Sequence, residues 1–314
     1  MRIEIDVPAT TSNLGPGFDA LGMALQLSST FVCETQDSVT APLPGVDRTL
    51  RIDVEGYGAD ELPRDASHLV VATIAARLAA HGRALPNLRL LQTNQIPLGS
   101  GLGSSSTAIV GGLAIAQALL GMPLDREALL RDACRFEGHP DNAAPCVLGG
   151  LVTATYDGEV VHTVPLPIAP GLGCVICTPD LQLSTIAMRA VLPDEVPFAD
   201  AVFNGTHACL LIAALATGRL ALLAEATQDR LHQRFRAAHV PGFEAVVAAS
   251  QAAGALTTVL SGAGPTVIAL IDTTRCDAPA IARAMEVGFA SVGLGSTSRI
   301  VQPRPTGVVV QITP

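Results

Sequence analysis

Apolar and polar residues alternate over residues 3–7, with Ile3, Ile5 and Val7 set against Glu4 and Asp6, the period-two signature of a half-buried strand. Strand-like runs follow over 23–34 and 50–55, separated by turn-rich stretches such as Pro42-Leu43-Pro44-Gly45-Val46-Asp47. Residues 68–80 change to helical spacing, with Asp65 or Ser67 placed to cap the first turn. A strand over 88–93 runs into a glycine-rich segment, and 104–120 and 125–136 read as successive helices parted by Gly121-Met122-Pro123. After Gly149 and Gly150 strands return over 151–156 and 160–164. The proline-rich stretch 165–171 is the best domain boundary, dividing 1–165 from 166–314. Beyond it the pattern gives a strand over 174–178, helices over 185–191, 199–217, 220–228 and 243–253, and strands over 255–260 and 266–271. A helix over 278–292 and strands over 298–301 and 307–312 complete it. Strands and helices mix without a regular βαβ rhythm, so the fold class is α+β.

No charged residue occurs from Gln95 to Leu124. Glycines and prolines interrupt this stretch, and only 104–120 can form an unbroken helix, at the short limit of the roughly 17–25 residues that cross a bilayer. A buried core helix entered through a glycine loop is the expectation. Composition agrees, since 49% hydrophobic and 15% charged residues favour a large core over disorder.

The net charge of −9, without any basic cluster, leaves no electrostatic footprint for nucleic acid. All 19 Lys+Arg residues are arginine. A chain without lysine cannot carry a Walker-A loop, which ends in Gly-Lys-Ser/Thr, nor the strand lysine of protein kinases. Schiff-base chemistry is excluded likewise. The 7 cysteines are odd in number and irregularly spaced, and Met1-Arg2 leads directly into a strand rather than a leader, so a reducing cytoplasm is expected. Cys174 and Cys177 form the one C-x-x-C; with no second pair to complete a metal site, they read as part of a buried strand.

The chemistry concentrates in Pro97-Leu98-Gly99-Ser100-Gly101-Leu102-Gly103-Ser104-Ser105-Ser106-Thr107. Glycines at alternate positions let the backbone approach a ligand and turn its N–H groups inward, and the helix that follows adds the partial positive charge of its N-terminus. Serine hydroxyls there donate to phosphate or ligate Mg²⁺. Together these make an anion site without a basic side chain. The dinucleotide fingerprint G-x-G-x-x-G fails, because its third glycine falls on Ser104 or Ser106.

This segment resembles the phosphate loop of the GHMP kinases. Two further segments agree. Pro8-Ala9-Thr10-Thr11-Ser12-Asn13-Leu14-Gly15-Pro16-Gly17-Phe18-Asp19-Ala20-Leu21-Gly22 looks like the opening motif of the homoserine kinases in that superfamily, and Leu260-Ser261-Gly262-Ala263-Gly264-Pro265-Thr266 is similar to its third, glycine-rich motif. Glu137-Gly138-His139-Pro140-Asp141-Asn142 between them strengthens the same match. The resemblance implies an N-terminal domain of ribosomal-protein-S5 type and a C-terminal ferredoxin-like domain, with substrate in the cleft between them. It implies ATP as co-substrate, Mg²⁺, L-homoserine as acceptor in threonine biosynthesis, and a homodimer.

By the same resemblance the loop and His68 contact ATP, with His68 standing where the family usually has Asn. Ser261, Gly262 and Gly264 support the loop, and Ser105 and Glu137 hold the metal. Asn13, Asp19, His139, Arg189 and Arg236 contact the amino acid. Asp19 suits an ammonium group, and the arginines suit a carboxylate, which they bind bidentately. Arg230 and Arg234 lie close enough in sequence to share the role of Arg236. Which of Asp141, Asn142 and His139 meets the reacting hydroxyl is open at this level; with Asn142 there, no strong base is present and the γ-phosphate accepts the proton. The rival readings are a sibling small-molecule kinase acting on threonine or mevalonate, and a silent ligand sensor on the same fold.

Overall fold

One strand pair feeds two of the three hydrophobic cores. The computed structural model describes residues 1–35 and 49–313, so the turn-rich stretch 42–47 anticipated above lies outside the described residues. β1 (Arg2–Asn13) and β2 (Gly17–Glu34) pair antiparallel, with register shifts between Pro8 and Thr10 and between Ser12 and Asn13. Such bulges bend a strand and raise its twist. Before the first shift Ile3, Ile5 and Val7 enter one core; after it Ala9 and Leu14 enter another. β2 divides in the same way, Phe31 and Cys33 serving the first core and Leu21, Met23 and Leu25 the second.

β3 (Leu50–Gly56), β4 (Leu88–Asn94), β5 (Leu151–Tyr156), β6 (Val161–Leu166) and β11 (Val309–Thr313) complete a seven-stranded sheet. Its main path runs β11-β1-β2-β4-β3, and β5 and β6 continue from β2. α1 (Leu69–Ala79), α2 (Ser104–Leu119), α3 (Arg126–Glu137) and α4 (Ala143–Leu148) pack on its first core. α2 is buried from Ser106 to Leu119, so the uncharged stretch is a core helix, as its interruptions implied.

The second sheet holds β7 (Leu172–Pro179), β8 (Thr257–Leu260), β9 (Val267–Asp272) and β10 (Ser296–Val301) in the order β10-β7-β9-β8. With helices between β7 and β8 and between β9 and β10, this is the 4-1-3-2 order of a ferredoxin-like unit. Its helices are α5 (Thr185–Ala190), α6 (Phe198–Thr217), α7 (Leu223–Ala226), α8 (Gln233–Ala237), α9 (Phe243–Ala252) and α10 (Ala278–Ala290). Cys174 faces the core shared with β1 and β2, while Cys177 faces the core under α9 and α10. Their odd spacing on a strand puts the thiols on opposite faces, where burial pushes them up to about 12 and about 11. α6 is apolar enough by length and composition to cross a membrane, with a mean hydropathy of 1.4; here Leu211, Ala214 and Leu215 bury its inner face in the shared core.

Three expectations change. His68, rather than Asp65 or Ser67, takes the N-cap of α1 and makes no side-chain cap, while Asp65 accepts a 2.8 Å bond from the Ser67 N–H. The helix expected over 220–228 is a 3₁₀ turn (Leu220–Leu222) followed by the short α7, because the Asp229 carboxylate captures the N–H groups of Leu231, His232 and Gln233 and starts α8. β11 crosses back to β1, pairing Arg2 with Thr313, so the sheets do not divide as 1–165 and 166–314.

Candidate active site

The glycine loop is held by its carbonyl groups. Gly99 O accepts from Leu183 N, Ser100 O from Thr266 N, Gly101 O from the Ser261 hydroxyl and Leu102 O from Thr10 N, at 2.7–3.3 Å. Four successive carbonyls turned toward the framework leave the opposite side of the backbone to N–H groups. Those of Gly101, Gly103, Ser104, Ser105 and Ser106 have no acceptor among the described residues. Gly101 and Gly103 have φ of 81° and 72°, and a Cβ on either would collide, with Ser261 O and with the Thr10 hydroxyl respectively. Gly264 N is bonded to Ser261 O, and Gly262 N to Ser12 O, so the third motif forms the loop's floor.

The loop and the start of α2 line a cavity of about 450 Å³, together with Glu137, His139, Asn142, Thr185 and Ile186. The last residue of α3 is Glu137, and its Oε1 accepts from Ser105 Oγ at 3.3 Å. Burial raises its carboxyl above the usual range, against the lowering by His139 and by the hydroxyls of Ser106 and Ser105. His139 Nδ1 lies 2.6 Å from Asp141 Oδ1. Burial works against both charges, yet their mutual bond and attraction outweigh it, holding Asp141 below the carboxylate range and His139 above the ordinary imidazole value. Asn142 Oδ1 accepts from the Thr10 hydroxyl at 2.8 Å, and its Nδ2 donates to Ser12 Oγ at 3.0 Å, which fixes the orientation of the amide.

The backbone is strained from the end of β1 into the start of β2. Asn13, Leu14 and Asp19 all have positive φ (69°, 49° and 54°), uncommon for non-glycine residues. Asn13 maintains it: Oδ1 accepts from Asp19 N at 3.1 Å and Nδ2 donates to Gly262 O at 3.0 Å. Expected to contact substrate, Asn13 here spends its Oδ1 on the backbone of Asp19 and an N–H on the third glycine motif. The Asp19 carboxylate takes two 2.8 Å bonds from Arg189, whose pKa they raise. Arg236 is 2% exposed and donates to Met188 O and Gly262 O; no carboxylate lies within ion-pair distance of it among the described residues. Burial, then the charge of Arg189, lowers its pKa. Asp19, His139 and Asp141 each bring one oxygen or nitrogen within 4.8 Å of the others.

Most of the predicted residues therefore meet in one place. Arg230 and Arg234 do not share it, since both pair with Asp200 on α6. His68 is buried at the start of α1 with both ring nitrogens unbonded, and it does not line the loop cavity. Sequence reasoning missed Thr10 and Ser12, which orient Asn142, and Phe18, whose ring lies beneath both arginines. Their one signal was membership of the opening motif; a run of hydroxyl residues in a strand is otherwise ordinary β propensity.

Comparison with known proteins adds the following. Residues 68–150 match the GHMP kinases N terminal domain, and residues 211–288 match the GHMP kinases C terminal model. The chain is 41% identical over 303 residues to a homoserine kinase of Carboxydothermus hydrogenoformans, covering 96% of this chain and 95% of that protein. It is 42% identical over 306 residues to a homoserine kinase of Moorella thermoacetica, covering 98% and 99% respectively. The crystal structure of homoserine kinase from Cytophaga hutchinsonii superposes with a TM-score of 0.85 at 30% identity, covering 99% of this chain and 97% of that one.

Proposed function

The chain belongs to the GHMP kinase family, among its homoserine kinases, and we propose that it transfers the γ-phosphoryl group of ATP to the side-chain hydroxyl of L-homoserine. The products are O-phospho-L-homoserine and ADP, and the step belongs to threonine biosynthesis in the cytoplasm. One observation carries the substrate assignment: Asp19, Arg189 and the carboxylate-free Arg236 stand beside the phosphate-loop cavity. Homoserine brings one ammonium, one carboxylate and one primary hydroxyl, so Asp19 takes the first and the two arginines take the second. That anchoring directs the hydroxyl toward Asn142 and the loop. Mevalonate, with a carboxylate and no ammonium, competes with Asp19 for Arg189 and brings Asp19 no cation in exchange.

The loop's free N–H groups and the N-terminus of α2 hold the phosphates. Ser105 and Glu137 suit a magnesium ion, being hard oxygen donors 3.3 Å apart at the loop, with the carboxylate unpaired with any arginine among the described residues. When bound, the ion neutralises charge on the phosphate oxygens. Asn142, fixed by Thr10 and Ser12 and lining the loop cavity, keeps a second lone pair on Oδ1 that accepts from the substrate hydroxyl and orients it for in-line attack. Asp141 is a poor base, because His139 and Asn142 already donate to its carboxylate. The hydroxyl proton therefore passes to the phosphoryl oxygens as the bond forms. Coupled ADP release measured with L-homoserine, L-threonine and mevalonate tests the assignment; preference for either competitor, or no turnover with homoserine, overturns it. The reading includes a homodimer, which sedimentation checks against the 32.2 kDa of one chain.

A further inference from the structure

Two guanidinium groups converge on one aromatic ring at the substrate end of the site. The Arg189 carbon Cζ lies 5.5 Å from the Phe18 ring centroid, and that of Arg236 lies 5.1 Å from it. Both distances fall within the range where a cation is attracted to the negative face of a ring. Like charges brought together in a partly dry site repel, and the two arginines are not equally compensated. Arg189 has the Asp19 carboxylate. Arg236, almost fully buried, bonds directly to the carbonyl groups of Met188 and Gly262, while Asp19, Asp141 and Asp229 act on its charge from beyond ion-pair distance. The charges of Asp19 and Asp141 act on both arginines, and the Phe18 ring is the one group that both guanidinium groups lie over.

The ring is itself held. His232 lies against it at 5.0 Å between centroids, tilted by 31°. That histidine is fully buried and donates Nε2–H to Gly15 O at 2.8 Å, which ties the ring's support to the same turn. Phe18 also precedes Asp19, so one backbone segment sets both the arginine platform and the carboxylate that faces an ammonium group.

We propose that Phe18 is a positioning residue for the reaction, its ring setting the two guanidinium groups at the spacing that receives the α-carboxylate of an amino-acid substrate. This rests on the reading of the site as an amino-acid kinase. The ring does not line the phosphate-loop cavity and acts through Arg189 and Arg236. A residue that merely fills space has no reason to discriminate between substrates with and without a carboxylate, and the test uses that difference.

Phe18→Leu and Phe18→Tyr are compared with the wild type in KM for L-homoserine, KM for ATP, and the inhibition constant of 3-amino-1-propanol, which keeps the ammonium and hydroxyl and lacks the carboxylate. For Phe18→Leu the homoserine KM rises about tenfold or more, while the amino-alcohol constant and the ATP KM stay within about twofold. Phe18→Tyr keeps an aromatic face and stays within about threefold of the wild type throughout. Should Phe18→Leu fail to fold, Phe18→Met supplies the same comparison. Equal weakening of homoserine and 3-amino-1-propanol, or an unchanged homoserine KM, overturns the role. Absence of homoserine turnover in the wild type removes the parent reading, and this one with it; turnover with equal losses removes only the role of Phe18.

Discussion

Arg189 and Asp19 satisfy each other before any ligand arrives, so a zwitterion that enters must exchange partners with both. Arg189→Met therefore does two things: it removes a carboxylate anchor and leaves Asp19 alone beside Asp141 and His139. KM for homoserine is expected to rise by about ten- to hundredfold, with KM for ATP within about threefold, as steady-state kinetics would show; equal effects on both would mark a structural arginine. Glu137→Gln keeps an acceptor for Ser105 but removes the charge. It should lower kcat by about a hundredfold or more, the scale on which lost charge stabilisation is felt, while a fluorescent nucleotide still binds; unchanged turnover rejects the metal role. His68 gives a pH signature. Burial, then Arg64, lowers its pKa from 6.5, so the folded protein refuses a proton that the unfolded chain accepts below about pH 6.5. Stability is then full above that pH and falls on acidification. His68→Asn should flatten the drop in melting temperature between about pH 7 and 5, and an unaltered drop counts against a neutral buried imidazole. At this scale Asp19, Arg189 and Arg236 were named in the sequence through the family resemblance, and the Asp19–Arg189 pair now lies beside Arg236 around one ring. The sequence concealed Thr10 and Ser12, whose importance depends on a residue more than a hundred positions away.

The phosphate loop and the third glycine motif work as one element although they are distant in the chain, since the carbonyl of each approaches where the other lacks a side chain. Gly101→Ala should cost about 1–3 kcal/mol in stability and weaken nucleotide binding, combining a strained φ with a collision against Ser261 O. Gly121→Ala is the matched control. It has a φ of 69° and open space around its Cβ position, so it carries the backbone penalty alone; chemical denaturation should rank Gly101→Ala as clearly the worse, and equal losses would mean the contact between the loops is slack. Helices with a continuous apolar side, such as α2 and α10, were legible nearly to their ends. The five-residue α8 was not, because its start depends on the Asp229 side chain rather than on periodicity. Nor did alternation reveal that β1 and β2 each change cores partway along, since a bulge moves one residue and leaves the polar pattern ordinary.

The molecule as a whole is two sheets joined by a core to which both contribute, and then joined again by β11. Val308, just before β11, is fully buried in the first core. Deleting residues 308–314 removes that side chain, worth about 1.5–3 kcal/mol, together with a whole edge ladder. Loss of a cooperative melt, or aggregation, is the expected result, and a melting temperature equal to the full-length protein's would show the closure to be ornamental. The return of β11 to β1 was not readable from the sequence, because strand patterns do not name their partners. That return also imposes a schedule on synthesis. A ribosome releases chain at about 5–20 residues per second, and domains ordinarily settle in the order they emerge. Here β1 emerges ahead of every other described strand, yet one of its edges stays open until Val309–Thr313 has followed the entire second sheet out. The nascent chain therefore carries an unpaired strand edge through most of its translation, so chaperone occupancy should peak on the growing polypeptide rather than on the finished enzyme.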